Sequence, residues 1–171
     1  MPSEISMYGA GHDREPTVEE LKRELGEARA QQTAVAAILA AISNSPTDPH
    51  RVFAEIAASA ARLCDAYDSV ILQADRGVLR LIAHYGPITT PDQVGSATIP
   101  LIRGLIMGRT FLDGQTIQVA DTQAEDDEYP ESSDFARRLG YRTTLSVPLI
   151  RAGETIGVIS LRRAEVRQFS D

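Results

Sequence analysis

The chain has 171 residues, 43% hydrophobic and 24% charged, which is the composition of a globular protein with room for one ordinary domain and an appendage. Its formal net charge of -7, from 17 Lys and Arg scattered among 24 Asp and Glu, argues against nucleic acid as a partner. One cysteine excludes an internal disulfide framework, three histidines show no metal-ligand spacing, and the longest apolar run, Ala34 to Ile42, is about half a membrane span, so a cytoplasmic chain without membrane, metal or cofactor is expected.

Residues 1–16 hold Pro2, Gly9, Gly11 and Pro16 with few large apolar groups and are expected to be a disordered leader. Thr17 followed three residues later by Glu20 forms a capping box, and a helix is predicted over 17–44. Within it Val18, Leu21, Leu25, Ala28, Gln32, Val35, Leu39 and Ile42 alternate spacings of three and four, a heptad seam. Two readings stay open. Either this is one amphipathic helix lying on its own domain, or residues 17–45 form a parallel coiled coil that makes the chain a homodimer, with Gln32 setting the register.

Ser45-Pro46-Thr47-Asp48-Pro49 breaks the helix and starts another, with Asp48 as cap and Pro49 at the first helical position. That helix is predicted to run to about Asp65, burying a stripe of Val52, Phe53, Ile56, Ala57, Ala60, Leu63 and Cys64. On such a stripe Cys64 reads as a small hydrophobe before it reads as a reactive thiol. Strands are predicted at 69–74 and 78–85 around the turn Asp75-Arg76-Gly77, where glycine supplies a positive φ. Gly86-Pro87 ends this hairpin and a loop leads to Pro100. A short amphipathic helix over 101–112 terminated by Asp113-Gly114, a strand at 116–120, an acidic loop and a helix at 133–139 ending on Gly140 follow. A second hairpin, 143–150 with 155–162, turns through Arg151-Ala152-Gly153-Glu154. The order describes an α+β fold, a central antiparallel sheet with helices on one face and loops or short helices on the other, preceded by a long coiled-coil-like helix.

The run Gly140-Tyr141-Arg142-Thr143-Thr144-Leu145-Ser146-Val147-Pro148-Leu149-Ile150, with Gly153 and Ile156-Gly157-Val158-Ile159, resembles the signature of the GAF family of small-molecule sensor domains. Gly108-Arg109, Val119-Ala120-Asp121, Tyr129 and Phe169-Ser170 look like further family positions, and the likeness covers about residues 33–171. The resemblance implies a GAF domain over 46–171 with a covered pocket on the outer sheet face, and terminal helices that pack as a dimer and signal onward to an output such as a histidine kinase of a two-component system. Ser170 or Asp171 would cap one further helix, so the chain reads as a fragment lacking that helix and its output domain. Cyclic-nucleotide-binding relatives carry N-K-x-F-D-E, whereas the only asparagine here is Asn44. Bilin attachment and methionine sulfoxide reduction need pocket cysteines, for which Cys64 is a poor match.

Candidate site residues follow from alternation and charge. Arg142, Thr144 and Ser146 share one face of a strand and Leu145, Val147 and Leu149 the other, so the polar set is either a pocket floor or a solvated surface. In a pocket the hydroxyls would bond a ligand and Arg142 would clamp an anion. Asp121 is expected to fix its loop through backbone N–H groups and Tyr129 to lid the pocket. Arg103 and Arg109 either meet an anionic ligand or pair with the acidic segment 121–134. That segment's seven carboxylates read as a solvated loop before a cation site, and His84 as a structural residue before a ligand. No nucleophile and base occur together at a defensible spacing, so a non-catalytic sensor that binds a small molecule is the reading; a structural dimerisation module with a vestigial pocket is its alternative.

Overall fold

The computed structural model describes residues 17–44, 49–89 and 93–169, without the side chains of 37–44. The elements in order are α1 (Val18–Asn44), α2 (Pro49–Leu63), β1 (Asp68–Asp75), β2 (Val78–Tyr85), β3 (Thr98–Pro100), α3 (Ile106–Asp113), β4 (Ile117–Val119), α4 (Pro130–Leu139), β5 (Thr143–Arg151) and β6 (Glu154–Arg163). A single 3-10 turn, Thr122–Ala124, lies between β4 and α4.

The strands form one six-stranded antiparallel sheet in the order β3-β2-β1-β6-β5-β4. Both hairpins turn where the sequence places them, on Arg76 (φ 50°) with Gly77 (φ 85°) and on Ala152 (φ 52°) with Gly153 (φ 84°). Two consecutive positive φ values give the turn whose twist matches the flanking strands. Strand alternation then divides the core. Val70, Leu72, Leu79, Leu81 and Val158 form the cluster on one face, joined by Met107 and Phe111 of α3. Ile71, Ala83 and Ile159 face the other way and pack on Phe53, Ile56 and Ala57 of α2.

α1 begins with the expected capping box. The Thr17 N–H donates to the Glu20 carboxylate at 2.6 Å and the Glu20 N–H to the Thr17 hydroxyl at 3.2 Å. α1 packs on α2 through Ala34, which is buried, while Val18 (66% exposed) and Leu25 (52%) of the seam face away from the chain. Leu39 and Ile42 of the seam, and the Asp48 cap, lie outside the described side chains.

Three boundaries differ from the sequence reading. The loop before Pro100 ends in a short edge strand, β3, paired to Val78, Leu79 and Arg80 of β2. α3 starts five residues late, at Ile106, because the Ser132 hydroxyl of α4 accepts the Ile106 N–H at 2.8 Å and Leu105 makes no side-chain cap. α4 starts early, at Pro130, where a proline fits the first turn. Gly114 (φ 62°) and Gly140 (φ 76°) end α3 and α4 as expected.

Gly157, in β6 between β1 and β5, is a packing constraint: a Cβ there would come within 2.3 Å of the Leu72 carbonyl oxygen. Substitution Gly157→Ala is expected to lower stability by about 2 kcal/mol or more, because backbone on the neighbouring strand must shift. Urea unfolding followed by circular dichroism checks this; an unchanged midpoint would show that the strands relax freely.

Candidate functional site

A cavity of about 330 Å³ lies between the sheet and the short helices. Its walls are Val70 and Leu72 from β1, Leu81 from β2, Ile99 from β3 and Met107 from α3. These strand residues reach it because the alternation that sends Ile71 and Ala83 to α2 sends their neighbours to the opposite face. Phe135, Arg138 and Leu139 of α4 form one side, and Ala97, Thr98, Tyr141 and Arg162 also line it.

Arg162 belongs to a buried polar network. Its guanidinium Nη2 bonds the carboxylate of Asp68, a side chain with no exposed surface. The second Asp68 oxygen meets His84 Nε2 at 2.8 Å and accepts the Ile88 N–H at 3.1 Å. The Tyr141 ring centroid lies 5.2 Å from the Arg162 guanidinium carbon, and burial pushes the Tyr141 phenol above its ordinary value. Arg162 Nε has no hydrogen-bond partner among the described residues. The next residue, Arg163, faces the α2 side, where it donates to the carbonyls of Cys64 (2.7 Å) and Asp65 (3.1 Å) just beyond the end of α2. Burial and the nearby Arg167 pull its pKa below the usual arginine value.

None of Arg142, Thr144, Ser146, Tyr129, Asp121 and Arg109 lines this cavity. All but Ser146 are bonded through their side chains to partners within the chain. Arg142 makes a two-pronged pair with Asp121, one bond of 2.7 Å and one shorter, which holds the Asp121 carboxyl below the ordinary range. Asp121 also accepts the Gln123 N–H at 3.3 Å, the loop-fixing role expected of it. The Thr144 hydroxyl meets that of Thr122 at 2.8 Å. Arg109 pairs with Glu128 at 2.6 Å and stacks 4.6 Å from the Tyr129 ring, which is buried among Ile106 and Val119 rather than lying over the cavity. An anion-clamping Arg142 is therefore replaced by an arginine committed to a carboxylate of its own loop.

Thr144 and Ser146 are buried, which removes the solvated-surface reading for them. Ser146 sits opposite Ser160 across β5 and β6. Both hydroxyls, and that of buried Thr110 on α3, lack a hydrogen-bond partner among the described residues.

Other sequence candidates resolve individually. Arg103 pairs with Asp113 at 2.7 Å and not with the acidic segment. Within that segment Asp126 bonds Arg137 at 2.5 Å and Asp134 bonds Arg138 at 3.0 Å, so much of it is ion-paired. Among the described residues no group of three or more His, Cys, Asp or Glu is placed to hold a metal ion. Cys64 is partly buried just past the end of α2, and desolvation raises its thiol pKa, as suits a small hydrophobe. A larger groove of about 660 Å³, bounded in part by Tyr67 and Tyr85, is open to solvent, and its Arg167 is paired with Asp65 (2.8 Å) and Glu165 (3.0 Å). Among the described residues no helix is long and apolar enough to cross a membrane.

The model of the GAF domain family matches residues 48–171. The chain belongs to the GAF domain family. Comparison with curated protein sequences gives no match. Among solved structures, a GAF domain from a Coxiella burnetii phosphoenolpyruvate-protein phosphotransferase superposes with a TM-score of 0.68 at 20% identity, covering 86% of this chain and 83% of that one. The A. aeolicus nlh2 GAF domain in an inactive state gives 0.58 at 16% identity, over 83% of each chain. Free methionine-R-sulfoxide reductase from Neisseria meningitidis, in complex with its substrate, gives 0.60 at 21% identity, over 94% and 84%. These likenesses establish the GAF fold. GAF domains are commonly small-molecule-binding sensory or regulatory domains.

The residues that the sequence reading missed are Arg138 and Arg162. Arg162 lies within the run Ser160-Leu161-Arg162-Arg163, which looks like a strand emerging into solvent; the carboxylate that buries it lies 94 residues away.

Two expected outcomes follow from this packing. Thr110→Val, Ser146→Ala and Ser160→Ala each remove a buried hydroxyl without a partner, so each should shift stability by less than about 1 kcal/mol, in the stabilising direction. A loss of about 2 kcal/mol in unfolding free energy, measured by urea unfolding, would instead show that the hydroxyl is bonded in solution. For Asp121 the folded pKa is depressed, so its contribution is complete above the unfolded value of about 3.9 and is lost as pH falls through the folded value. Asp121→Asn should cost about 1 kcal/mol at pH 7, a modest sum for a partly exposed pair, and the gap from the parent should close in acid. A gap independent of pH between 7 and 2 would place the effect elsewhere.

Proposed function

We propose that the chain is a non-catalytic sensory and regulatory GAF domain that binds a small molecule in the 330 Å³ cavity. In this reading occupancy is passed through the helices on the opposite face to an output module of a longer signalling protein, such as a histidine kinase, and the chain works as a homodimer through α1. The observation that carries the proposal is the sharing of strands: β1 contributes Val70 and Leu72 to the cavity and Ile71 to the α2 interface. A ligand that shifts β1 moves both layers, and a signal requires only that it bind one arrangement more tightly than another. The volume lies near the lower end of the range for small-molecule pockets, roughly 300–1,000 Å³.

The exposed seam of α1 supports dimerisation: Val18, Leu21, Leu25 and Val35 are each about half exposed or more in the single chain. It also favours a second reading, a dimerisation module whose cavity holds nothing.

Native mass spectrometry of the purified chain separates the two. The sensor reading expects a dimer carrying a discrete noncovalent mass. Met107→Trp, which fills the cavity, should remove that mass and leave the dimer intact. Leu21→Asp with Leu25→Asp should give a folded monomer. A bound mass that persists in Met107→Trp would overturn the cavity as the site, a ligand-free dimer would favour the dimerisation module, and a monomeric parent would overturn the homodimer.

A further inference from the structure

We infer that the cavity takes an apolar molecule ending in a carboxylate, with the acid group held by Arg162 and Arg138; this rests on the cavity being the sensory site. The lining is divided in a way that describes such a ligand. Val70, Leu72, Leu81, Ile99 and Met107 offer hydrocarbon, and among the described residues the charged side chains of the lining are the two arginines, with no carboxylate. The deciding observation is Arg162 Nε. The residue is 5% exposed and lines the cavity, yet this N–H has no hydrogen-bond partner among the described residues. A buried guanidinium N–H left unbonded is costly, and an acceptor from a ligand removes that cost.

The nearby charges favour an anionic acceptor. Asp68 neutralises Arg162 from behind, but its oxygens are already committed to Arg162 Nη2, His84 and the Ile88 N–H. Arg138 brings a second guanidinium, which stands 4.6 Å from the Phe135 ring and pairs with Asp134 through Nη2 at 3.0 Å. Asp134 is itself well exposed, so this pair is weak and is readily exchanged for a ligand carboxylate. An ammonium group entering the same space would meet two guanidinium groups. A carboxylate would meet one unbonded N–H donor in an apolar setting, where charge-assisted bonds are strongest.

The test compares three probes with one hydrocarbon chain, octanoate, octan-1-ol and octylamine, by calorimetry on the full 171-residue chain. Octanoate is expected to bind about tenfold more tightly than octan-1-ol, the worth of one charge-assisted hydrogen bond, and octylamine not measurably. Arg162→Lys keeps a positive charge against Asp68 while removing Nε–H, and should erase the preference for octanoate over octan-1-ol. Arg138→Gln lies at an exposed position, keeps the fold in any event, and should reduce the same preference. Octan-1-ol or octylamine binding as tightly as octanoate, or an octanoate preference untouched in both variants, would overturn the carboxylate while leaving a small-molecule site. Failure of all three probes to bind, together with no co-purified mass, would overturn the sensory reading with it.

Discussion

The buried pair between Asp68 and Arg162 joins the first and last strands of the sheet, and much of the domain is arranged around it. Two ions removed from water gain stability only when their remaining bonding positions are filled. Asp68 meets that condition, with Arg162, His84 and the Ile88 N–H on its two oxygens. The backbone is drawn in accordingly: a Cβ on Gly86 would stand 2.7 Å from the Asp68 Cα, so the turn after β2 passes against the carboxylate with no room for a side chain. Ile88, brought in by this turn, packs with Ala136 of α4 and Tyr141. Loss of one member of such a pair typically costs about 3–5 kcal/mol, because the other is left charged and buried. Arg162 also lines the cavity, so the chemistry that holds the sheet together also shapes its chamber.

Around the cavity, the loops are secured chiefly by arginine. The basic residues from Arg103 to Arg142 each meet a carboxylate, and several also bond backbone carbonyls, as Arg137 does with Gln123 at 2.5 Å. The planar fork permits this double use, which a lysine ammonium performs less well. An acidic segment that would repel itself as a free loop is thereby tied to α3, α4 and β5. The two faces of the sheet consequently differ in character: aliphatic packing dominates against α2, and polar pairing frames the opposite side.

The features most legible in the sequence were those fixed by a few adjacent residues. Arg76-Gly77 and Ala152-Gly153 marked both hairpins, Gly114 and Gly140 both helix ends, and Thr17 with Glu20 the start of α1, because each acts within its own turn. β3 was hidden because Thr98–Pro100 holds only three residues, one a proline, and exists through its pairing with β2. The start of α3 was hidden because its capping hydroxyl, Ser132, lies 26 residues further on. The candidate site divides similarly. Alternation put Thr144 and Ser146 on one face without saying whether it was a pocket floor or a solvated surface; both are buried, but the cavity opens over β1 and β2. Arg142 looked available because the sequence shows its charge and not the Asp121 carboxylate 21 residues before it.

Arg162 and Arg163 are consecutive residues with opposite assignments, one to the chamber and one to the carbonyls that end α2. Their separation by one peptide bond makes the arrangement depend on whether residue counts in β6 are odd or even. A single residue inserted between Val158 and Arg162 would exchange the two faces, sending a guanidinium into the aliphatic layer and Leu161 toward Asp68. A two-residue insertion would preserve the faces while displacing the pairing along the strand. Length variation is therefore far easier to accommodate in the exposed Ala152-Gly153 turn than inside this strand, whose spacing acts as a reading frame for both layers.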